Sequence, residues 1–238
     1  MNLKILHLYP KEMNLYGDHG NVLVLKRRAE WRGIDVEIVE HEIGDKLPEK
    51  CDIIFGGGGQ DSGQQQIAED LRANGDKFKE WVEDGVPTLL VCGLYQLFGN
   101  FFRTADGDTI DGISVLDIET VAGAKRMIGN AVVRTSKFGE VVGYENHSGK
   151  TTLGAEMKPL GMMEKGEGNN GTDKTEGAIY KNTIGTYLHG PLLPKNPKIA
   201  DFLIQKALER KYGGPQELEK LKDDYETRAH RIAAMRPR

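Results

Sequence analysis

The stretch "TLLVCGLYQLFGN", residues 88–100, places Cys92 directly after a run of strand-forming residues and just before a glycine and a helix-like segment. Upstream, Gly85 follows "KFKEWVED" and Pro87 stands behind it, which reads as a helix stop followed by a strand start. Cys92 then falls at the carboxyl end of a buried strand, the edge of an open α/β sheet where ligands bind. Free cysteine is also among the most buried residue types, so plain core packing is the alternative. The choice needs support from the rest of the chain.

Working outward, "LKILHLY" (3–9), "DVEIVEHE" (35–42), "DIIF" (52–55) and "PTLLV" (87–91) are β-rich runs, separated by helical patterns around 21–32 and 66–84. This alternation predicts βαβ units and a parallel sheet. From about 105 to 189 the pattern changes to short strands with Gly- and Asn-rich turns, which predicts an antiparallel or mixed extension. The segment 164–177, "EKGEGNNGTDKTEG", has little apolar content and is expected to be a mobile loop. Two terminal helices are expected at about 197–212 and 215–235. The fold class is therefore α/β, three-layered, with a mostly parallel sheet flanked by helices and a mixed addition. No repeat and no long linker divides the chain.

The 238 residues and 38% hydrophobic content suit one large α/β domain. Lys and Arg number 32 against 36 Asp and Glu, well mixed, so nothing marks a nucleic-acid or anionic-membrane surface. No run approaches the length of a membrane span, and the N-terminus does not resemble a signal peptide, so a cytoplasmic protein is expected. Cys51 and Cys92 lie far apart, with no C-x-x-C and no paired histidines. Both thiols should be free, with no disulfide framework and no structural metal.

The glycine run in "IIFGGGGQDSG" (53–63) matches neither a P-loop nor a dinucleotide fingerprint. Four glycines directly after a strand do permit a close backbone approach, with N–H groups free to face a developing oxyanion. A cysteine nucleophile would also want a base. Of six histidines, His7, His41 and His230 read as structural or solvated, and His19 could line a site. His147 in "YENHSGK" and His189 in "TYLHGP" each follow a strand and precede glycine. Spacing alone leaves the two equal.

Taken together, "LYGDHGN", "GGGGQD", "VCGLYQLFG", "RMIGN", "YENHSGKT" and "GTYLHGPLLPKNP" resemble class I glutamine amidotransferases of the cobyric-acid-synthase-like branch, with a flavodoxin-like fold. Within that branch they are similar to the glutaminase subunits of lipid II isoglutaminyl synthases. The resemblance covers about residues 1–212, the amidotransferase domain, and leaves 213–238 as a C-terminal helical extension packed on it. It implies hydrolysis of L-glutamine to glutamate and ammonia through a cysteine thioester. The ammonia would pass to a MurT-like, Mur-ligase-type synthetase subunit that uses ATP and Mg to amidate the D-glutamate α-carboxyl of lipid II. No cofactor is implied in this chain. The resemblance makes Cys92 the nucleophile, His189 the base, and Gly93 with Gly58 or Gly59 the oxyanion hole. Arg126 would hold the glutamine α-carboxylate, and Gln96 would lie near the substrate.

Two positions depart from the pattern. Leu94 stands where relatives carry glycine, and could crowd the pocket. Pro191 stands where many class I enzymes place a glutamate to orient the histidine, which predicts that a partner subunit donates the acid, with Glu145 or Asp18 as the candidates inside the chain. Other readings are a glutaminase subunit for another acceptor such as a cobyrinate, a self-contained cysteine amidohydrolase, and a catalytically silent binding subunit.

Overall fold

The computed structural model describes residues 1–238. The first half is built on βαβ units: β1 (Asn2–Leu8), α1 (His19–Glu30), β2 (Asp35–His41), β3 (Ile53–Gly56), α2 (Asp61–Ala73), α3 (Gly75–Glu83), β4 (Thr88–Val91) and the short α4 (Gly93–Leu97). Strands β1, β3 and β4 are buried along nearly their whole length. That explains their unbroken apolar runs, since a parallel sheet is covered on both faces. The helical stretch expected over 66–84 is two helices, parted at Asn74 and Gly75.

The second half adds β5 (Phe101–Arg103), β6 (Thr109–Asp111), the long β7 (Ile118–Thr135) and β8 (Gly139–Leu153), β9 (Gly161–Lys165), β10 (Thr175–Glu176), β11 (Ala178–Tyr180) and β12 (Thr183–Thr186). The chain closes with α5 (Pro197–Tyr212) and α6 (Asp224–Met235). The last helix begins nine residues later than the sequence pattern suggests, after an irregular stretch from Gly213.

Two six-stranded sheets result. The first runs β11-β12-β4-β3-β1-β2 and is parallel except for the β11–β12 hairpin. The second is mixed: β10-β9-β7-β5-β6, with β8 antiparallel to β7. β12 returns from the mixed half to lie beside β4, so the residues after it emerge at the same sheet edge as Cys92. A single hydrophobic cluster of 52 buried residues unites the elements.

The 164–177 segment is tied down despite its polar composition. The buried carboxylate of Glu145 accepts from the Glu167 and Gly168 N–H groups at 2.8–3.0 Å. Asn169, also buried, bonds Gly177 N and O. Polar side chains here supply the anchoring that apolar ones do elsewhere.

Candidate active site

Cys92 directly follows β4 with φ at +49°, a left-handed conformation costly for a residue with a Cβ. Two bonds hold it there: its N–H donates to Thr186 O of the neighbouring strand at 2.8 Å, and its carbonyl accepts from Gln96 N at 2.9 Å in the following helix. Such a strained strand-to-helix turn lifts a nucleophile clear of the sheet. Cys92 is 8% exposed and lines a cavity of about 450 Å³, together with Tyr16, Gly59, Gln64, Arg126 and His147. This is the size of a small-ligand cleft.

His189 follows β12 and faces Cys92. A Cβ added at Gly58 would lie 2.7 Å from His189 Cε1 and 3.1 Å from Cys92 Cβ, so the glycine turn passes between the two side chains with no room for anything larger. The backbone of His189 is fixed by a two-way bridge to Tyr144 of β8, at 2.8 and 3.2 Å.

A carboxylate of this chain, one of the two candidates read from the sequence, meets the histidine. The imidazole Nδ1 lies 3.2 and 3.3 Å from the two carboxylate oxygens of Asp18, which is fully buried. Asp18 precedes α1 at its N-cap position, yet its side chain makes no capping bond. Asn14 Oδ1 accepts the His19 N–H in its place, at 2.8 Å. Pro191 packs against Gly20, where a Cβ would come within 2.6 Å, and this close approach sets the start of α1 against the His189 loop. Pro191 therefore lacks an acid but brings one near. Glu145 is not a substitute, because its oxygens are bound by the 167–168 backbone and by Arg238.

Burial disfavours a charged His189, but its bond to Asp18 and the neighbouring Cys92 outweigh this and raise its pKa to about 10. The imidazole is then protonated through the neutral range.

The glycine turn divides the expected oxyanion donors. Gly58 donates its N–H to Asp18 Oδ2 at 2.8 Å, so that group is not free for an oxyanion. Gly59 N lies 3.2 Å from where a Cβ on Gly93 would stand, which brings the Gly59 and Gly93 amides together beside Cys92. Leu94 does not enter the cavity. It is buried over Gly56, whose missing Cβ makes the space, since one placed there would be 2.8 Å from Leu94 Cγ.

The opposite wall comes from the β7–β8 ribbon. A register shift between Ala122 and Met127 bulges β7, and Arg126 projects there. Its Nε donates to Asn146 Oδ1 at 2.6 Å, and Asn146 Nδ2 donates to Tyr16 Oη at 2.7 Å. The Tyr16 ring packs edge-on against His189, with centroids 4.9 Å apart. Gln96 is buried at the cavity floor, with Nε2 donating to Tyr187 Oη and Oε1 accepting from Gln64 Nε2, both at 3.0 Å. Tyr16, Gln64 and Asn146 were not singled out from the sequence; the "LYGDHGN" and "YENHSGKT" blocks that hold two of them were the available signal.

A strained cysteine, a histidine in contact with a buried aspartate, and a glycine turn beside them border one polar cleft. Residues 4–197 match the model of the CobB/CobQ-like glutamine amidotransferase domain. The chain belongs to that family. It is 42% identical to the lipid II isoglutaminyl synthase (glutamine-hydrolyzing) subunit GatD of Staphylococcus aureus, over 97% of this chain and 94% of that one. The corresponding GatD of Streptococcus pneumoniae is 40% identical over 89% and 82% of the two chains. A chain of the PurLQS structure from Thermotoga maritima shares the fold at a TM-score of 0.60 and 14% identity, over 86% of this chain and 98% of that one. A glutamine amidotransferase from the same organism gives 0.56 and 16%, over 97% and 93%.

Proposed function

We propose that the chain is the glutaminase subunit of a lipid II isoglutaminyl synthase, and that it supplies ammonia to a MurT-like synthetase subunit. The observation that carries the chemistry is the Cys92–His189–Asp18 arrangement at the mouth of a cleft that also holds Arg126. The acceptor, the D-glutamate α-carboxyl of lipid II, is supported by likeness along nearly the whole chain to two subunits that carry that name. ATP and Mg belong to the partner in this reading, and the work is cytoplasmic.

The geometry supports the following steps. Arg126 binds the α-carboxylate of glutamine, and its link to Asn146 and Tyr16 holds the guanidinium in place. Cys92 Sγ attacks the side-chain amide carbon, and the oxyanion that forms accepts hydrogen bonds from the Gly59 and Gly93 N–H groups. The His189 imidazolium gives its proton to the departing nitrogen, releasing ammonia and leaving a thioester. His189, now neutral, takes a proton from water as the water attacks the thioester, and glutamate leaves. Asp18 holds the ring by Nδ1 so that Nε2 serves the sulfur side, and stabilises the charged form.

With its acid in the same chain, the isolated protein should hydrolyse glutamine without a partner, contrary to the expectation from Pro191. Ammonia release by the purified chain and by the reconstituted pair tests this. Losing the acid costs about 10⁴ in rate in serine proteases. A rise of that size on adding the partner would mean that Asp18 does not complete the site. Absence of hydrolysis by both would overturn the glutaminase reading.

A further inference from the structure

His147 has a place in the cleft that the glutaminase chemistry leaves unused. It lies on β8 opposite Met127, one residue past the bulge that carries Arg126. Its ring stacks flat on Tyr187, with centroids 3.6 Å apart and planes within 6°. The side chain is 2% exposed. Nδ1 lies 2.8 Å from Gly149 O, a carbonyl that can only accept, so Nδ1 carries the hydrogen. Nε2 is left as a bare lone pair, buried and without a partner.

Burial, reinforced by the charges of His189 and Arg126, pushes His147 down to about 3, against the bond to Gly149 that favours its charged form. The ring is neutral throughout the working range. A group so weakly basic is a poor general base, but a fixed acceptor. An unpaired acceptor in the interior is costly unless something donates to it.

The zwitterionic end of L-glutamine presents two groups, a carboxylate and an ammonium. Arg126 suits the first. The ammonium needs acceptors: Asn146 Oδ1 already accepts from Arg126 and Gln96 Oε1 from Gln64, while Gln64 Oε1 and the Asp61 carboxylate line the cleft on the side of the glycine turn and α2, and His147, next to Asn146 on β8, is the unpaired acceptor on the strand pair that carries Arg126. His147 lines the same cleft as Cys92 and Arg126. Resting on the glutaminase reading, we infer that His147 Nε2 accepts a hydrogen bond from the substrate α-ammonium and so selects α-amino acids over simple amides. The β7–β8 ribbon then reads both charged groups of the substrate, from a bulge on one strand and from the residue opposite the bulge's end on the other.

The test compares L-glutamine with glutaramate, which has the same amide and carboxylate but no amino group. For His147→Phe, kcat/KM on glutamine should fall roughly 10- to 100-fold through KM, with kcat kept within about threefold. Its kcat/KM on glutaramate should stay within about threefold of wild type, so the preference for glutamine collapses. His147→Gln, which keeps an acceptor, should recover part of it. Equal losses on both substrates, or a loss carried by kcat, would overturn the assignment. Should His147→Phe fail to fold, ¹⁵N NMR of the wild-type ring decides: Nε2 should be unprotonated and shift on adding glutamine but not glutaramate, and a protonated or unresponsive Nε2 would sink the idea. If wild type, alone and with its partner, hydrolyses no glutamine, the glutaminase reading falls and this inference falls with it.

Discussion

The parallel sheet and the β7–β8 ribbon meet at one cleft but contribute different kinds of residue. From the sheet come the groups to which the proposed function gives the chemistry: Cys92 after β4, His189 after β12, and the glycine turn after β3 that would hold the oxyanion. From the ribbon come the groups proposed to recognise the substrate: Arg126, Asn146 and His147, held by strand register and a bulge. The strained Cys92 persists because the sheet around it is buried on both faces and bonded on both sides. The ribbon reaches the site through its edge and is fixed there by two anchors, the Tyr144–His189 bridge and Asn196, which bonds both N and O of Val142. Substitutions in the first region should therefore act on kcat, and those in the second on KM.

The largest expected effect is at Cys92. Cys92→Ala should reduce glutamine hydrolysis by at least about 10⁴-fold, as loss of a nucleophile does in a cysteine or serine hydrolase. The chain should remain folded, because a small side chain 8% exposed at a cleft contributes more chemistry than packing. Residual ammonia release above a few per cent of wild type would show that another group attacks. His189→Ala should come close to the same loss.

Next is Asp18→Asn, which keeps the shape and removes the charge. A fall in kcat of roughly 10²- to 10⁴-fold with little change in KM is expected, measured on the chain alone. The amide can still accept from Gly58 N, so the glycine turn need not move. An unchanged kcat would shift the acid to a partner after all and break the assignment of all the chemistry to one sheet.

How far the sequence foretold these two regions differs for a physical reason. The first four strands lie within a residue or so of their expected positions, because buried parallel strands leave unbroken apolar runs and Gly85 and Pro87 punctuate them. Cys92 at the strand end follows from the same local grammar. Asp18 is less legible: the residue reads as a helix N-cap, and its actual bond to His189 spans 171 positions. Only the absent capping bond, visible in the structure, shows that the carboxylate is engaged elsewhere. Composition makes the 164–177 loop look mobile because it counts apolar residues, whereas Glu145 anchors the loop from β8 and Asn169 ties it to itself at Gly177. Likewise no local pattern shows β12 crossing back to lie beside β4, which is what brings His189 to Cys92.

Arg126→Ala should raise KM for glutamine roughly 10- to 100-fold, the size of a lost charge-assisted pair, and leave kcat nearly intact. Arg126→Lys should restore only part of this, since an ammonium cannot reproduce the planar fork or its bond to Asn146. A dominant loss in kcat would mean that the ribbon also shapes the reacting centre, through the Asn146–Tyr16–His189 contacts.

The smallest effect separates the two regions by pH dependence of stability. His147, lowered to about 3, lies below the ordinary histidine value of 6.5, so the unfolded chain takes up the proton first. Its contribution is fully present above pH 6.5 and is lost as pH falls toward 3. His7, buried in β1 and lowered to about 4 by burial and by His19, acts in the same direction. His189, raised to about 10, is the reverse: its contribution is fully present below pH 6.5 and lost as pH rises through 10. One such group changes stability by at most about 1.4 kcal/mol per pH unit, so the expected shifts in Tm are a few degrees per pH unit within each window. Thermal unfolding from pH 4 to pH 10 should show His147→Gln flattening the acid side of the profile and His189→Gln flattening the alkaline side. An exchange of the two sides would contradict the neutral ring assigned to the ribbon and the charged one assigned to the sheet.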